Sequence, residues 1–281
     1  KDIFCWTREL YLTDVAVRAP FMTVSADEDR LNAAVKQAKK CGLKKVGFDA
    51  AKEGYAAGRL LAKNGFVECP SLISQLREVK DEGEVKIIRD ACRIAYNAYE
   101  YVKPLIKTGM TELDVAAELE KYMRTHGATT TSFYTIVGFG EDCANPHHVT
   151  GLRKLKAEDC ILMDFGCVYN GYCSDITRSW WHGKKEPAEY KKIWQLVDKA
   201  RKAGIKAVKP GMATREVDNT ARNIIKAGGY GAYFTHGTGH GMGMENHETP
   251  YNNQESDAVL VEGNIVTVEP GIYLPGKYGV R

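Results

Sequence analysis

The chain has no apolar stretch near the ~18 residues of a membrane span and no opening signal-peptide pattern, so no membrane association is expected. It also lacks a strong charge of either sign. A net charge of +3 and a pI near 8.3 come without any basic run interleaved with aromatics, so nucleic acid is not an expected partner. The eight cysteines (Cys5, Cys41, Cys69, Cys92, Cys143, Cys160, Cys167 and Cys173) contain no C-x-x-C pair. Their scatter suggests reduced thiols in a cytoplasmic protein rather than a disulfide framework. Lys1 runs straight into an apolar segment, which suggests that a further piece precedes it.

What is present suffices for a sizeable core: 281 residues with 44% hydrophobic content predict one large domain or two unequal ones. Residues 1–72 read as a short α/β segment, with helix patterns at 27–41 and 53–64 flanking a strand at Lys45–Asp49, and nothing in it looks catalytic. Pro70-Ser71 marks a boundary, and residues 73–281 form the larger domain. There the charged run Arg77–Glu84 leads into a long helix with an apolar stripe at Ile88, Ala91, Ala95, Ala98, Val102 and Leu105, stopped by Gly109. Thr111 caps a second helix, with Asp114 at the capping-box position.

The same order recurs about a hundred residues later. A helix at 187–208 ends in Lys209-Pro-Gly-Met212, matching Lys107-Thr-Gly-Met110, and Thr214 is the expected cap of the next helix. β-like segments follow each helix pair, at 132–138, 160–166 and 172–179 and then at 232–236, 243–247 and 264–269. A duplicated helix-helix-strand-strand unit is therefore expected, its strands joined in one curved sheet with helices outside, an α+β fold.

Asp164 and Asp175 lie eleven residues apart around Asn170-Gly171. That dipeptide is a strong type I′ hairpin signal, because both central residues of such a turn need positive φ. If Tyr169 and Tyr172 flank it, Val168 pairs with Cys173, Gly166 with Asp175 and Asp164 with Thr177. Strand side chains alternate faces, so both carboxylates emerge on one face. Gly166 opposite Asp175 leaves an empty space beside them. Two solvent-facing aspartates of shared parity are ordinary, but two converging carboxylates without a paired cation repel. A metal resolves this, and a carboxylate can bridge two ions about 3.5–4 Å apart.

The second half offers more ligands. His236, His240 and His247 fall within twelve residues, among glycines at 237, 239, 241 and 243 that suit close approach of a ligand or another backbone. A phosphate loop is excluded, since no Lys-Ser or Lys-Thr follows and Met242 stands where G-x-G-x-x-G needs glycine. His236 and His240 share a strand face, whereas His247 has the opposite parity unless the chain bulges at Gly241–Gly243. Glu269 ends an apolar strand before Pro270, where a carboxylate is costly unless it is paired or coordinating. The alternative is an edge-strand Glu reaching solvent.

Asp164, Asp175, His240 and Glu269, with His147 in Asn145-Pro-His-His148 and the run His236-Gly-Thr-Gly-His-Gly241, resemble the pita-bread metallopeptidases, in particular the Xaa-Pro aminopeptidase and prolidase branch. The similarity spans residues 73–281. The linker Leu76-Arg-Glu-Val-Lys80 with Glu84 resembles the family's lead-in to its catalytic domain, and residues 1–72 resemble part of the branch's creatinase-like N-terminal domain. Methionine aminopeptidases share the Asp, Asp, His and Glu pattern, but His236 and the N-terminal piece fit the proline-directed branch better. Creatinase shares the fold without these ligands. The resemblance implies that Asp175 bridges two divalent ions, that Asp164, His240 and Glu269 complete the metal set, and that His147, His236 and His247 face the substrate.

The expected reaction is hydrolysis of the bond before a proline at the second position of a peptide, with Glu269 moving the proton and the three histidines stabilising the oxyanion. Arg281 would pair with a carboxylate of the substrate or the metal site. A carboxylate-rich set with one imidazole favours Mn²⁺, with Co²⁺ or Zn²⁺ as alternatives. A homodimer is expected. The family pattern continues past Arg281 into Ile-Glu, the Glu being a fifth ligand, so the chain as given is expected to hold at most one ion firmly and to be nearly inactive. A small-molecule hydrolase or lyase on the same fold, or a catalytically silent binding protein, are the competing readings.

Overall fold

The computed structural model describes residues 2–281, which divide into two compact units between Ile73 and Ser74. In the smaller unit, Phe4–Thr7 pairs in parallel with Thr23–Ala26, and Val46–Asp49 pairs in parallel with Phe66–Cys69. The helices Arg30–Lys40 and Tyr55–Lys63 lie between these strands in sequence. Val35, Phe48 and Leu61 form a small core there.

The larger unit is built twice over. Its first helix, Glu82–Val102, starts at a capping box in which Asp81 and Glu84 satisfy each other's backbone N–H groups. It ends at Val102 rather than continuing to Leu105. Pro104 has no N–H to extend an α-helix, so Lys103–Leu105 turns as a 3₁₀ segment and Leu105 is exposed. The second helix, Glu112–Thr125, carries the expected Thr111–Asp114 capping box. In the second half, helix Ala188–Ala207 is followed by helix Thr214–Ala227. Thr214 is not the cap. Ala213 holds that place, and Thr214 Oγ1 turns inward to donate to the Ala258 carbonyl at 3.2 Å.

The duplication extends to the backbone bonding. Gly109 N donates to Leu155 O and Leu155 N to Met110 O, while Gly211 N donates to Leu260 O and Leu260 N to Met212 O. Asp164 and Glu269 each lie nine residues beyond those paired leucines, so the two carboxylates occupy equivalent positions in the two halves.

Strand Asp159–Phe165 is the centre of this unit, paired antiparallel with Ile176–His182 on one side and Ile136–Phe139 on the other. All seven of its residues are buried. Ile161, Met163 and Phe165 pack into the core of the first helix pair, and Cys160 and Leu162 into the core of the second. Asp164 continues the row of Cys160 and Leu162. Val168 pairs with Cys173 and Asp164 with Thr177, the register expected from the turn. Asn170 and Gly171 both have positive φ, at 47° and 84°.

Elsewhere the β structure is shorter than expected. Residues 231–233 form a 3₁₀ turn, and 243–247 form bends between the strands Gly239–Gly241 and Glu248–Asn252. Residues 264–269 are not a regular strand but are laced along the glycine-rich run. Met242 N donates to Ile265 O, Thr267 N to His240 O and Glu269 N to Thr238 O. The space at Gly166 is not empty either. A Cβ there would overlap the Ser174 carbonyl oxygen and Ser132 Oγ, so the glycine admits the returning strand rather than a ligand. Gly166→Ala is therefore expected to destabilise the protein by more than about 2 kcal/mol, as overpacking against backbone cannot relax. Chemical denaturation of the variant checks this.

Candidate metal centre

Each carboxylate reaches the centre on a different segment. Asp164 comes from the central strand and Asp175 from the break between Tyr172–Cys173 and Ile176–His182, on the return side of the Asn170-Gly171 hairpin. Glu269 comes from the segment laced along Thr238–Met242, and His240 from that run itself. His240 Nε2 stands 3.2 Å from Glu269 Oε1 and 3.5 Å from Asp175 Oδ2. All four side chains are largely removed from solvent. Thr177 donates to Asp164 Oδ1 at 2.9 Å, and Thr267 to Glu269 Oε1 at 2.9 Å.

Arg281 joins this group. It follows strand Tyr278–Val280, and its guanidinium pairs with Asp164 while Nε donates to Thr177 Oγ1 and lies 3.8 Å from Glu269. The carboxylate it engages is thus one of the site's own.

The electrostatics follow from crowding three carboxylates in a buried place. Burial pushes the Asp164 carboxyl up to about 7, against the pull of Arg281, with Asp175 and Glu269 adding to the rise. Burial also opposes ionisation of Glu269, but the His240 hydrogen bond and the Arg281 charge win and hold it down at about 2. His240 would lose its proton through burial, yet Asp175 and Glu269 raise it to about 10. Excess negative charge here recruits whatever cation is at hand.

A divalent cation fits this donor set. His240 Nδ1 donates to its neighbour's carbonyl, Gly241 O, at 2.9 Å, which aims Nε2 at Asp175 and Glu269. Fixing one ring nitrogen by a backbone carbonyl so that the other is free to coordinate is the usual arrangement of a metal-binding histidine. Asp164, Asp175 and Glu269 supply hard oxygen donors around it.

Four further expected residues line the same cleft, of about 1050 Å³: His147, His236, His247 and Arg281. The His247 and His240 ring centres are 4.1 Å apart. His247 does not continue the strand of His240: residues 243–247 form bends, so strand parity does not govern it, and the register shift between His240 and Gly241 leaves its extra residues, Thr249 and Pro250, on the partner strand Glu248–Asn252. His147 is exposed at the rim, its N–H held by Asn145 Oδ1. His236 is more constrained than expected. Its Nδ1 donates to Gly237 O and its Nε2 accepts from the Tyr273 hydroxyl at 2.8 Å, and burial lowers its pKa and keeps it neutral. The glycines around these histidines serve backbone approach, since a Cβ at Gly239 would overlap Thr267 O and one at Gly241 would overlap Thr249 O.

Other residues at the site left no mark in the sequence. Tyr273 meets His236 across 37 positions. Asp218, fully buried, accepts from Thr238 N and from Arg222, which in turn donates to the carbonyls of Phe234 and His236. A second group, Glu112, Asp142 and His148, also brings possible ligand atoms within 4.8 Å of one another. Its acceptors are already taken. Glu112 receives Phe139 N, Gly151 N and His148 Nε2, and Asp142 receives Arg153. We read it as the brace of the loop that carries His147.

The model of metallopeptidase family M24 matches residues 86–281. The chain belongs to this family. An uncharacterized peptidase of Bacillus subtilis, YqhT, is 40% identical over 85% of this chain and 69% of its own length. One from Staphylococcus aureus strain USA300 is 40% identical over 78% of this chain and 62% of its own. The chain therefore spans about two thirds of these M24 relatives. Among solved structures, a Xaa-Pro dipeptidase from Bacillus anthracis aligns with a TM-score of 0.92 at 37% identity, covering 98% of this chain and 79% of that one. A prolidase from Pyrococcus furiosus aligns with a TM-score of 0.89 at 33% identity, covering 99% and 82%. The expected α+β pita-bread fold holds for this M24 chain.

A divalent ion coordinated by His240 must displace its proton, because only neutral imidazole binds metal. With its pKa raised, the imidazolium stabilises the metal-free fold below the ordinary histidine range of ~6.5, and that contribution fades as pH rises through about 10. Near neutral pH, ion binding is thus expected to release about one proton from His240 and a further fraction from Asp164, and to tighten as pH rises. Calorimetric Mn²⁺ titration in buffers of different ionisation enthalpy measures the release. None would mean that His240 is not a ligand.

Proposed function

We propose that this chain forms the catalytic part of a metallopeptidase that hydrolyses the bond preceding a proline at the second position of a peptide. The observation that supports it most is the convergence of Asp164, Asp175, His240 and Glu269 in a cleft lined by four further histidines. The names of the solved neighbours, Xaa-Pro dipeptidase and prolidase, point to the same substrate. In the natural full-length protein, Asp164, Asp175, His240 and Glu269 would be among the ligands of two divalent ions, Mn²⁺ by the hardness of the donors. Bound there, the ions supply Lewis acidity at the scissile carbonyl.

The chain's own residues do the rest. Glu269 would take a proton from the attacking water and return it to the imino nitrogen of proline as the C–N bond breaks. His147 and His247 line the same cleft, and in this reading their N–H groups meet the developing oxyanion. His236, locked to Tyr273, holds the wall of the cleft in place. A cytoplasmic homodimer is the setting we propose. Among the described residues no helix is long and apolar enough to cross a membrane.

Turnover of Xaa-Pro dipeptides and Xaa-Pro-Xaa tripeptides by the natural full-length protein with Mn²⁺ tests the reading, with Xaa-Ala peptides as controls. Asp175→Asn is expected to lose both metal and turnover. His236→Ala is expected to keep its metal by elemental analysis and to lose about 100-fold in rate. Full metal content in Asp175→Asn would remove Asp175 from the ligand set.

A further inference from the structure

The linker Leu76–Lys80 has no part in the proposed chemistry, yet two of its side chains end beside the cleft. Lys80 is almost wholly buried, its side chain 1% exposed, and Nζ lies 3.1 Å from Glu248 Oε2. Arg77 pairs with the other oxygen of the same carboxylate and reaches Glu245 at 3.1 Å. A buried lysine is costly without an opposite charge, and a buried glutamate likewise, so each fixes the other's place. The linker backbone is anchored too. Lys80 N donates to Gly263 O at 2.9 Å, and Asn264 Nδ2 donates to Glu78 O at 3.0 Å.

Glu248 is joined in sequence to His247. Its Oε1 also accepts from Glu245 N at 2.9 Å, closing the bend over Glu245–Glu248, and Asn246 Nδ2 in that bend reaches Asp175 at 3.3 Å. Gly243 brings the chain so close that a Cβ would stand 2.9 Å from Lys80 Cε and 3.0 Å from Glu248 Oε1. The bend carrying His247 therefore has its polar underside tied to the linker and its upper side against His240 and Asp175.

We propose that Lys80 and Arg77 are positioning residues that act through Glu248 to hold His247 against His240. The linker is a brace for one wall of the substrate cleft. The catalytic consequence rests on the reading of His247 as a substrate-side residue, whereas the placement of its ring does not.

The test is a double-mutant cycle on the full-length metal-loaded protein with Xaa-Pro peptides, joined to histidine-ring NMR on the metal-free protein. Lys80→Met keeps the side-chain length and removes the charge. It is expected to lower kcat/KM by at least about tenfold when His247 is present. In a His247→Ala background it should lower it by less than about twofold, because the residue it positions is gone. A general loss of stability would act equally in both backgrounds, and that result overturns the proposal. In the NMR experiment Lys80→Met should move the His247 ring signals and leave those of His126 and His182 in place. Unmoved His247 signals also overturn it. If Lys80→Met fails to fold, Arg77→Met, at a partly exposed side chain, is measured in the same way against the same outcomes. A wild-type protein that cleaves no Xaa-Pro peptide defeats the proposed function, and the NMR arm still decides the positional claim.

Discussion

Mutual repulsion among Asp164, Asp175 and Glu269 is the constraint on which the site depends. Two like charges about 4 Å apart cost about 1 kcal/mol in water and about 4 kcal/mol at the effective dielectric of a protein. Three carboxylates gathered around His240 and Arg281 and shielded from solvent need positive charge among them. In the chain as described, that charge is the His240 imidazolium and the Arg281 guanidinium. Burial raises Asp164 with the neighbouring carboxylates adding to the rise, whereas at Glu269 the His240 hydrogen bond and the Arg281 charge overcome burial. A divalent ion is a more compact answer to the same problem.

The architecture delivers these groups by repetition. Asp164 and Glu269 sit at matching places in two helix-helix-strand units, so one backbone solution, used twice and brought face to face, supplies two carboxylates. The hairpin adds Asp175, and the glycine-rich run adds His240 by letting neighbouring backbones approach it. Around this centre, separate ties hold the walls of the cleft: Glu112 on the His147 loop, Asp218 and Arg222 on the His236 segment, and Lys80 and Arg77 on the His247 bend. Placement of the histidines is thus shared among groups that themselves lie outside the cleft.

The central part of the site was legible because it rests on local rules. Asn170-Gly171 dictates a type I′ turn, the turn dictates the register, and the register puts Asp164 opposite Thr177. The opposite parity of His247 could be read as well, but it is met by bends over 243–247 rather than by the expected bulge at Gly241–Gly243. Where reasoning by residue type failed, a competing local contact was stronger. Thr214 prefers the Ala258 carbonyl to its own helix end, and Pro104 ends a helix whose apolar stripe ran on to Leu105. Glycine was open to two uses, ligand approach or backbone approach, and at Gly166, Gly239 and Gly241 the structure takes the second. The pairings of Lys80 with Glu248 and His236 with Tyr273 join distant parts of the chain, and no periodicity announces them.

The central claim is that the carboxylate cluster in the cleft is the metal site. Diffraction from crystals of the full-length protein grown with Mn²⁺, recorded at the manganese absorption edge, tests it most directly. Anomalous density is expected in contact with Asp164, Asp175, His240 Nε2 and Glu269. Density at Glu112, Asp142 and His148 instead, or none in the cleft, would contradict the account.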